Sequence, residues 1–294
     1  MYSSIADILE QSEKSKKEFW EVVMEADMES RDTSREASRQ KMKQMLDVMK
    51  DADQSYEGDR KSASGLSGGD GKLLEEYNRT GKNLCGAFLG KVMERAVKMG
   101  ESNACMKRIV AAPTAGSCGV IPAVLLSYEE YCKPSEDDLI NALYVAAGLG
   151  KVIGENASIS GAFGGCQAEI GTASAMAAGA LAYLQGGDNA AIANAAALAL
   201  KNMLGLACDP VGGLVEVPCV YRNVAGAAQA LAAADLALAG IACPLPPDEL
   251  IDQMKAVGDM MPAALRETGL GGCAACPSAR AKFENRDGCG KGCV

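Results

Sequence analysis

Apolar residues recur at helical spacing along most of the chain. Near the start, Ile5, Ile8, Leu9, Phe19, Val22 and Val23 fall along one side of a polar helix that Ser3 or Ser4 can cap. Asp32-Thr33-Ser34 separates it from a second polar helix reaching residue 50. Residues 51–71 read as loop, ending in Gly65-Leu66-Ser67-Gly68-Gly69-Asp70-Gly71, and a helical pattern resumes at Lys72 and runs with interruptions to Val110. Beyond it, short loops rich in Gly, Ser and Pro alternate with apolar helices expected at 120–131, 136–153, 166–184, 190–206, 221–239 and 248–260. Alternating β-branched residues are nearly missing, and residues 214–217 (Leu-Val-Glu-Val) are the only short strand candidate. The pattern predicts an all-α fold with Gly/Ser-rich functional loops at helix starts. Polar N-terminal helices (1–64) would pack on a main helical domain (65–272), followed by a Cys-rich tail (273–294).

Composition sharpens this picture. Aromatic residues make up only 4% of 294, while Ala and Gly dominate the second half, so the core must rely on close packing of small side chains. Two Ala-rich stretches, 171–200 and 224–243, are long enough to raise the question of a membrane. The first is interrupted by Gln185-Gly186-Gly187-Asp188-Asn189 and the second carries Gln229 and Asp235, so both read as core helices. The first twenty residues form a polar amphipathic helix and not a charged-then-apolar leader. A net charge of −9 argues against nucleic acid, whose phosphates select basic surfaces. The expectation is an acidic, soluble, cytosolic protein.

Twelve cysteines and no histidine then frame the chemistry. In a reducing cytosol the cysteines are not a disulfide framework. The missing histidine removes the commonest general base, the commonest metal ligand and every Ser/His or Cys/His dyad. The glycines are not phosphate loops: Gly71-Lys72 has Leu where a P-loop needs Gly at 66 and Ser or Thr at 73. The run from Gly148 to Gly154 has the wrong spacing for a dinucleotide fingerprint and follows no strand.

Loops that lead into helices remain anion sites, since the first turn exposes unpaired N–H groups. Thr114-Ala115-Gly116-Ser117 and Ser158-Ile159-Ser160-Gly161 both fit, with ordinary capping as the equal alternative. Three cysteines lie in loops flanked by Gly or Pro: Cys166, Cys208 and Cys219. No compact CxxC places them together, and spacing alone favours inert buried thiols over a metal site.

Longer segments add a resemblance. AAPTAGSCGVIPAVL, GENASISGAFGGCQAEIGTASAMAAGAL, CDPVGGLVEVPCVYRN and GDMMPAALRETGLGGCAACPSA resemble the alpha chain of bacterial iron–sulfur L-serine dehydratases. The amphipathic start and the SGGDGK stretch are similar to that family too, so the likeness runs over essentially the whole chain. It implies that Cys166, Cys208 and Cys219 hold a [4Fe–4S] cluster with one iron left free of cysteine. That iron would act as a Lewis acid on the hydroxyl of L-serine, giving pyruvate and ammonia without pyridoxal phosphate. The loop of Ser67, Gly68, Gly69 and Asp70 would close over the amino acid, with Asp70 on its ammonium group. Thr114, Ala115, Gly116 and Ser117, with Ser160 and Gly161, would hold its carboxylate.

The resemblance also implies a companion beta subunit in a hetero-oligomer, fused to this region in single-chain relatives. That subunit is the expected source of the general base, for which this chain offers no named residue. The tail pairs Cys273 with Cys276 and Cys289 with Cys293. It is open to a zinc knuckle, to Cys293 as a resting fourth cluster ligand, or to reactive thiols without a site. Cys85, Cys105, Cys118, Cys132 and Cys243 are expected to be structural. Competing readings are a related lyase on another β-substituted amino acid (cysteine desulfidase-like), a non-catalytic cluster sensor with four thiolates, and a cofactor-free helical scaffold.

Overall fold

The computed structural model describes residues 1–284, and helices supply nearly all of their regular structure. The N-terminal region holds three helices where the periodicity predicts two: α1 (Ile5–Ser15), α2 (Phe19–Ser30) and α3 (Arg35–Gln54). The first predicted helix breaks at Lys16, which adopts the left-handed conformation with φ 54°. The reason lies far away in sequence. Asn189 accepts the Phe19 N–H at 2.8 Å and donates to the Lys17 carbonyl at 3.2 Å, satisfying backbone groups that the break exposes.

The next helices are α4 (Asp70–Arg79), α5 (Gly86–Ala104), α6 (Val120–Cys132) and α7 (Glu136–Asn156). A short α8 (Gly161–Gly164) and a π-helical turn (Gln167–Gly171) precede α9 (Thr172–Leu184), replacing the single helix expected over 166–184. After them come α10 (Asn189–Met203), α11 (Cys219–Leu238), α12 (Pro247–Met260) and α13 (Pro277–Glu284). The start of α10 is fixed by Asp188, whose carboxylate accepts the Ala191 N–H at 2.8 Å.

Helix α9 is the centre of the core. It is buried from Thr172 to Ala182 and packs against α6, α7, α10 and α11. Its Ala-rich surface lets these neighbours approach closely. At Gly179 an added Cβ would stand 2.3 Å from Leu149 Cδ1 on α7, so even one methyl there would overpack the interface. Helix α2 packs on the outer side of α7, burying Phe19, Val22 and Val23. Among the described residues no helix is long and apolar enough to cross a membrane.

The strand candidate at 214–217 is not a strand. It lies in a tight turn where Glu216 N–H donates to the Leu214 carbonyl and Val211 N–H donates to the Val217 carbonyl, with a cis bond before Pro218. The alternation there has another origin: Glu216 is buried, accepting hydrogen bonds from Ser62 and Ser64, both at 2.6 Å. The one bridge among the described residues joins Cys208 to Arg266.

Candidate active site

Cys166, Cys208 and Cys219 come from separate segments and are brought together under the surface, each less than a tenth exposed. Each is held by its own set of backbone bonds. Cys166 sits where α8 hands over to the π-helical turn, and the next residue, Gln167, fixes that handover. Its N–H donates to the Leu206 carbonyl and its side chain bridges Gly205 N–H and the Met254 carbonyl, both at 2.8 Å. Gln167 thereby clamps the Cys166 turn to the loop that carries Cys208 and to α12. Cys208 is pinned on its other side, donating to the Leu265 carbonyl at 2.8 Å and accepting from Glu267 N–H at 2.7 Å. Cys219 opens α11, two residues earlier than the periodicity predicts. Its carbonyl accepts from Asn223, whose amide also binds Gly116 O and Gly119 N.

Arg222, one turn into α11, ties these pieces to one another. It donates to the Ala207 carbonyl at 2.6 Å, pairs with Asp209 at 2.6 Å and sets its charge beside the Cys166 sulfur. The Cys208 thiol also donates to Cys166. This bond, with Arg222 beside it, holds the Cys166 thiol below its usual range despite burial, while Cys208 is driven up as the proton holder of the pair. Burial, then the charges of Cys166 and Glu169, push Cys219 up to about 12.

A half-buried carboxylate that sequence reasoning did not single out lies among them. Glu169 projects from the π-helical turn, three residues after Cys166. An added Cβ at Gly161 would stand 2.6 Å from Cys208 Sγ and 3.1 Å from Glu169 Oε2. One at Gly116 would stand 3.3 and 3.4 Å from the two carboxylate oxygens. Burial raises the Glu169 carboxyl, a hydrogen bond from Thr114 opposes this, and the charge of Glu267 adds to the rise. Thr114, Gly116 and Gly161, expected around a substrate carboxylate, thus surround a protein carboxylate. Ser117 turns inward, its hydroxyl 3.1 Å from that of Thr114, while Ala115 accepts the Cys118 N–H. Ser160 precedes α8 without a side-chain cap.

The Ser67–Asp70 loop is also filled from within. Gly68, Asp70 and Gly71 donate their N–H groups to the Glu101 carboxylate at 3.0, 2.8 and 3.1 Å, and the Tyr56 hydroxyl donates as well. Gly68 has φ 115°, and an added Cβ would lie 2.2 Å from the Arg60 carbonyl, so glycine is required there. Ser67 is buried, and Gly69 precedes α4 with φ 92°. Asp70 accepts a hydrogen bond at 2.7 Å from Tyr221, two residues after Cys219. The loop therefore joins the cysteine site through Tyr221 and through the bonds of Ser62 and Ser64 to Glu216.

Cys273 belongs to the same neighbourhood, its N–H donating to Asp209 at 2.6 Å, whereas Cys276 is exposed. Cys289 and Cys293 lie outside the described residues. Of the other cysteines, Cys105 and Cys118 are buried, Cys243 is partly buried, and Cys85 and Cys132 are exposed, so burial supports a packing role only for the first two. Every described cysteine is a free thiol.

Buried thiols without oxygen-rich surroundings suit iron, iron–sulfur or zinc and not hard cations. The lowered Cys166 thiol favours the thiolate, the form that binds such metals. No three His, Cys, Asp or Glu side chains among the described residues converge on the coordination sphere of one ion. The donor chemistry suits a thiolate-bound centre: Cys166 and Cys208 are directly coupled, and Cys219 lies near enough to feel the charge of Cys166.

Glu169, Arg222 and Asn223 were legible only as polar residues in apolar stretches, within segments already notable for their cysteines. "Probable L-serine dehydratase, alpha chain" of Bacillus subtilis (strain 168) is 46% identical over 280 residues, covering 95% of this chain and 93% of that protein. "L-serine dehydratase, alpha chain" of Peptoniphilus asaccharolyticus is 47% identical over 203 residues, covering 69% of this chain and 70% of that protein. The family model described as "Serine dehydratase alpha chain" matches residues 14–274, which include all three cysteines, Glu169 and Arg222. The chain belongs to the serine dehydratase alpha chain family.

Proposed function

We propose that this chain is the catalytic alpha subunit of an L-serine dehydratase that carries a [4Fe–4S] cluster on Cys166, Cys208 and Cys219 and works with a beta subunit. The observation that supports this reading is that three buried thiols from three separate segments lie in one neighbourhood with Glu169 and Arg222. The names of the relatives supply the substrate, and their designation as alpha chains supports a companion chain.

A bound cluster with one iron free of cysteine supplies a Lewis acid that draws charge from the serine hydroxyl as its C–O bond breaks. The protein's own residues do the rest. Arg222 and the N-terminal end of α11, where Cys219 stands, place positive potential beside the thiolates. Gly116 and Gly161 keep the space next to Glu169 clear for a small substrate. Burial limits water, which strengthens each polar contact there. Loss of the α-proton and of the hydroxyl, together one water, leaves aminoacrylate, which tautomerises and hydrolyses to pyruvate and ammonia. With no histidine in the chain, we assign acceptance of the α-proton to the companion subunit.

The test is anaerobic purification with iron and sulfide reconstitution, then pyruvate formation from L-serine with and without the beta subunit. Iron near four per chain by order of magnitude, with activity lost when any one of the three cysteines becomes serine, is the expected result. Full iron content in all three Ser variants would overturn the ligand assignment. A loaded wild type that forms no pyruvate in either arrangement would overturn the reaction.

A further inference from the structure

The four buried acids of the described chain have their charge answered from within. Glu101 takes three backbone N–H groups and the Tyr56 hydroxyl. Glu94 pairs with Lys91 and Lys98, Asp209 with Arg222, and Glu216 accepts from two serines. Glu169 differs. The Thr114 hydroxyl beside it only partly opposes the effect of burial, and among the described residues no lysine or arginine forms an ion pair with it. The neighbouring charge of Glu267 makes its surroundings more negative. A half-buried carboxylate left in this condition can receive a cation from outside.

The local geometry agrees. Gly116 and Gly161 both face the carboxylate, with Val215 Cγ1 and Cys208 Sγ as the other side-chain atoms close to where their Cβ atoms would stand. The point where a Gly161 Cβ would stand is 2.6 Å from Cys208 Sγ and 3.1 Å from Glu169 Oε2, which sets the carboxylate beside the thiol site. In serine the ammonium and hydroxyl groups sit on adjacent carbons, so their receptors must be close neighbours. Asp70, the sequence-based choice for the ammonium, spends its carboxylate on the Tyr221 hydroxyl.

Resting on the dehydratase reading above, we infer that Glu169 is the residue that receives the α-ammonium group of the substrate, with Gly116 and Gly161 shaping its access and Thr114 orienting it. Selectivity for an amino acid over the corresponding hydroxy acid then resides in this one carboxylate. It also follows that the substrate carboxylate must lie away from Glu169.

The test uses the reconstituted holoenzyme with its beta subunit and compares wild type with Glu169→Gln and Glu169→Asp. Binding of L-serine and of 3-hydroxypropanoate, which keeps the hydroxyl and carboxylate but lacks the amine, is followed by the cluster's visible spectrum or by calorimetry. E169Q is expected to keep its iron and weaken L-serine by about 30-fold, the loss of one charge-assisted contact. Its affinity for 3-hydroxypropanoate should stay near that of wild type, and E169D should recover part of the serine affinity. Equal weakening of both ligands, no weakening of either, or loss of iron from E169Q would each overturn the inference. A wild type without pyruvate formation would instead sink the dehydratase reading on which the inference rests.

Discussion

Arg222 and Asp209 form a largely buried ion pair, 2.6 Å between Nη2 and Oδ1, that joins the helix of Cys219 to the loop of Cys208. The same guanidinium reaches the Cys166 sulfur, so one side chain spans the three segments on which the site depends. Removing it strands a buried carboxylate and loosens all three. Arg222→Ala should lower stability by about 3 kcal/mol and reduce iron retention. Arg222→Lys should rescue little, because an ammonium cannot reproduce the planar fork. Urea midpoints and iron content measure both, and an R222K variant that kept full iron would count against the spanning role.

Asp209 makes a pH prediction. Burial alone would raise its carboxyl, but the Cys273 N–H and Arg222 outweigh it and hold the group below its ordinary 3.8. A folded value below the unfolded one means that the stabilisation is present above pH 3.8 and is lost as pH falls through the folded value. Asp209→Asn should therefore show a shallower acid dependence of stability in that window than wild type. Parallel acid-unfolding curves for the two proteins would refute it.

Glu169 makes the opposite one. Its carboxyl is raised, so in the cluster-free protein stability falls as pH rises from 4.5 through the folded value. Glu169→Gln removes that penalty. The cluster-free variant should unfold at a higher temperature than wild type at pH 7, with the difference shrinking below pH 4.5. A variant less stable at pH 7 would show that the carboxylate is held for packing.

Gly161→Ala places a methyl 2.6 Å from Cys208 Sγ. The overpacking should cost about 1–3 kcal/mol, with turnover falling further than stability because the methyl also closes the approach to Glu169. Thermal melts and steady-state rates on the loaded protein separate the two effects. Unchanged turnover would mean that the site opens elsewhere.

Glu101→Ala removes the acceptor of three N–H groups in the Gly68–Gly71 turn. With those donors unsatisfied, stability should drop by about 3 kcal/mol, and proteolysis should cut faster within residues 58–71. Glu101→Gln, which keeps one acceptor oxygen, should lie between Ala and wild type. An E101A protein with wild-type proteolysis would show that the turn holds itself.

The helical character of this chain was open to a reader of its sequence because helix periodicity is local. Apolar residues three and four positions apart mark α6, α7 and α10 to α12 to within a few residues, and the end of α9. The missing alternation excludes a sheet for the same reason. The segments bearing Cys166, Cys208 and Cys219 stood out through their Gly/Pro setting and their likeness to a family. Local patterns also misled. Residues 214–217 alternate like a strand, yet the alternation reflects a buried glutamate facing Ser62 and Ser64.

Only the tertiary structure decided the rest, since the deciding contacts join residues far apart in the chain. Asn189 breaks the first helix at Lys16 by capping it across 170 residues. Glu101 fills the turn at Gly68 from 33 residues away, in a loop that the sequence offers to a substrate. Arg222 and Glu169 look like stray charges in apolar helices until the fold sets one against Asp209 and Cys166 and leaves the other without a cation among the described residues. Periodicity records which face of an element is buried, and so determines the helices. It carries no record of which distant donor meets which buried acceptor, and the chemistry of this site depends on that pairing.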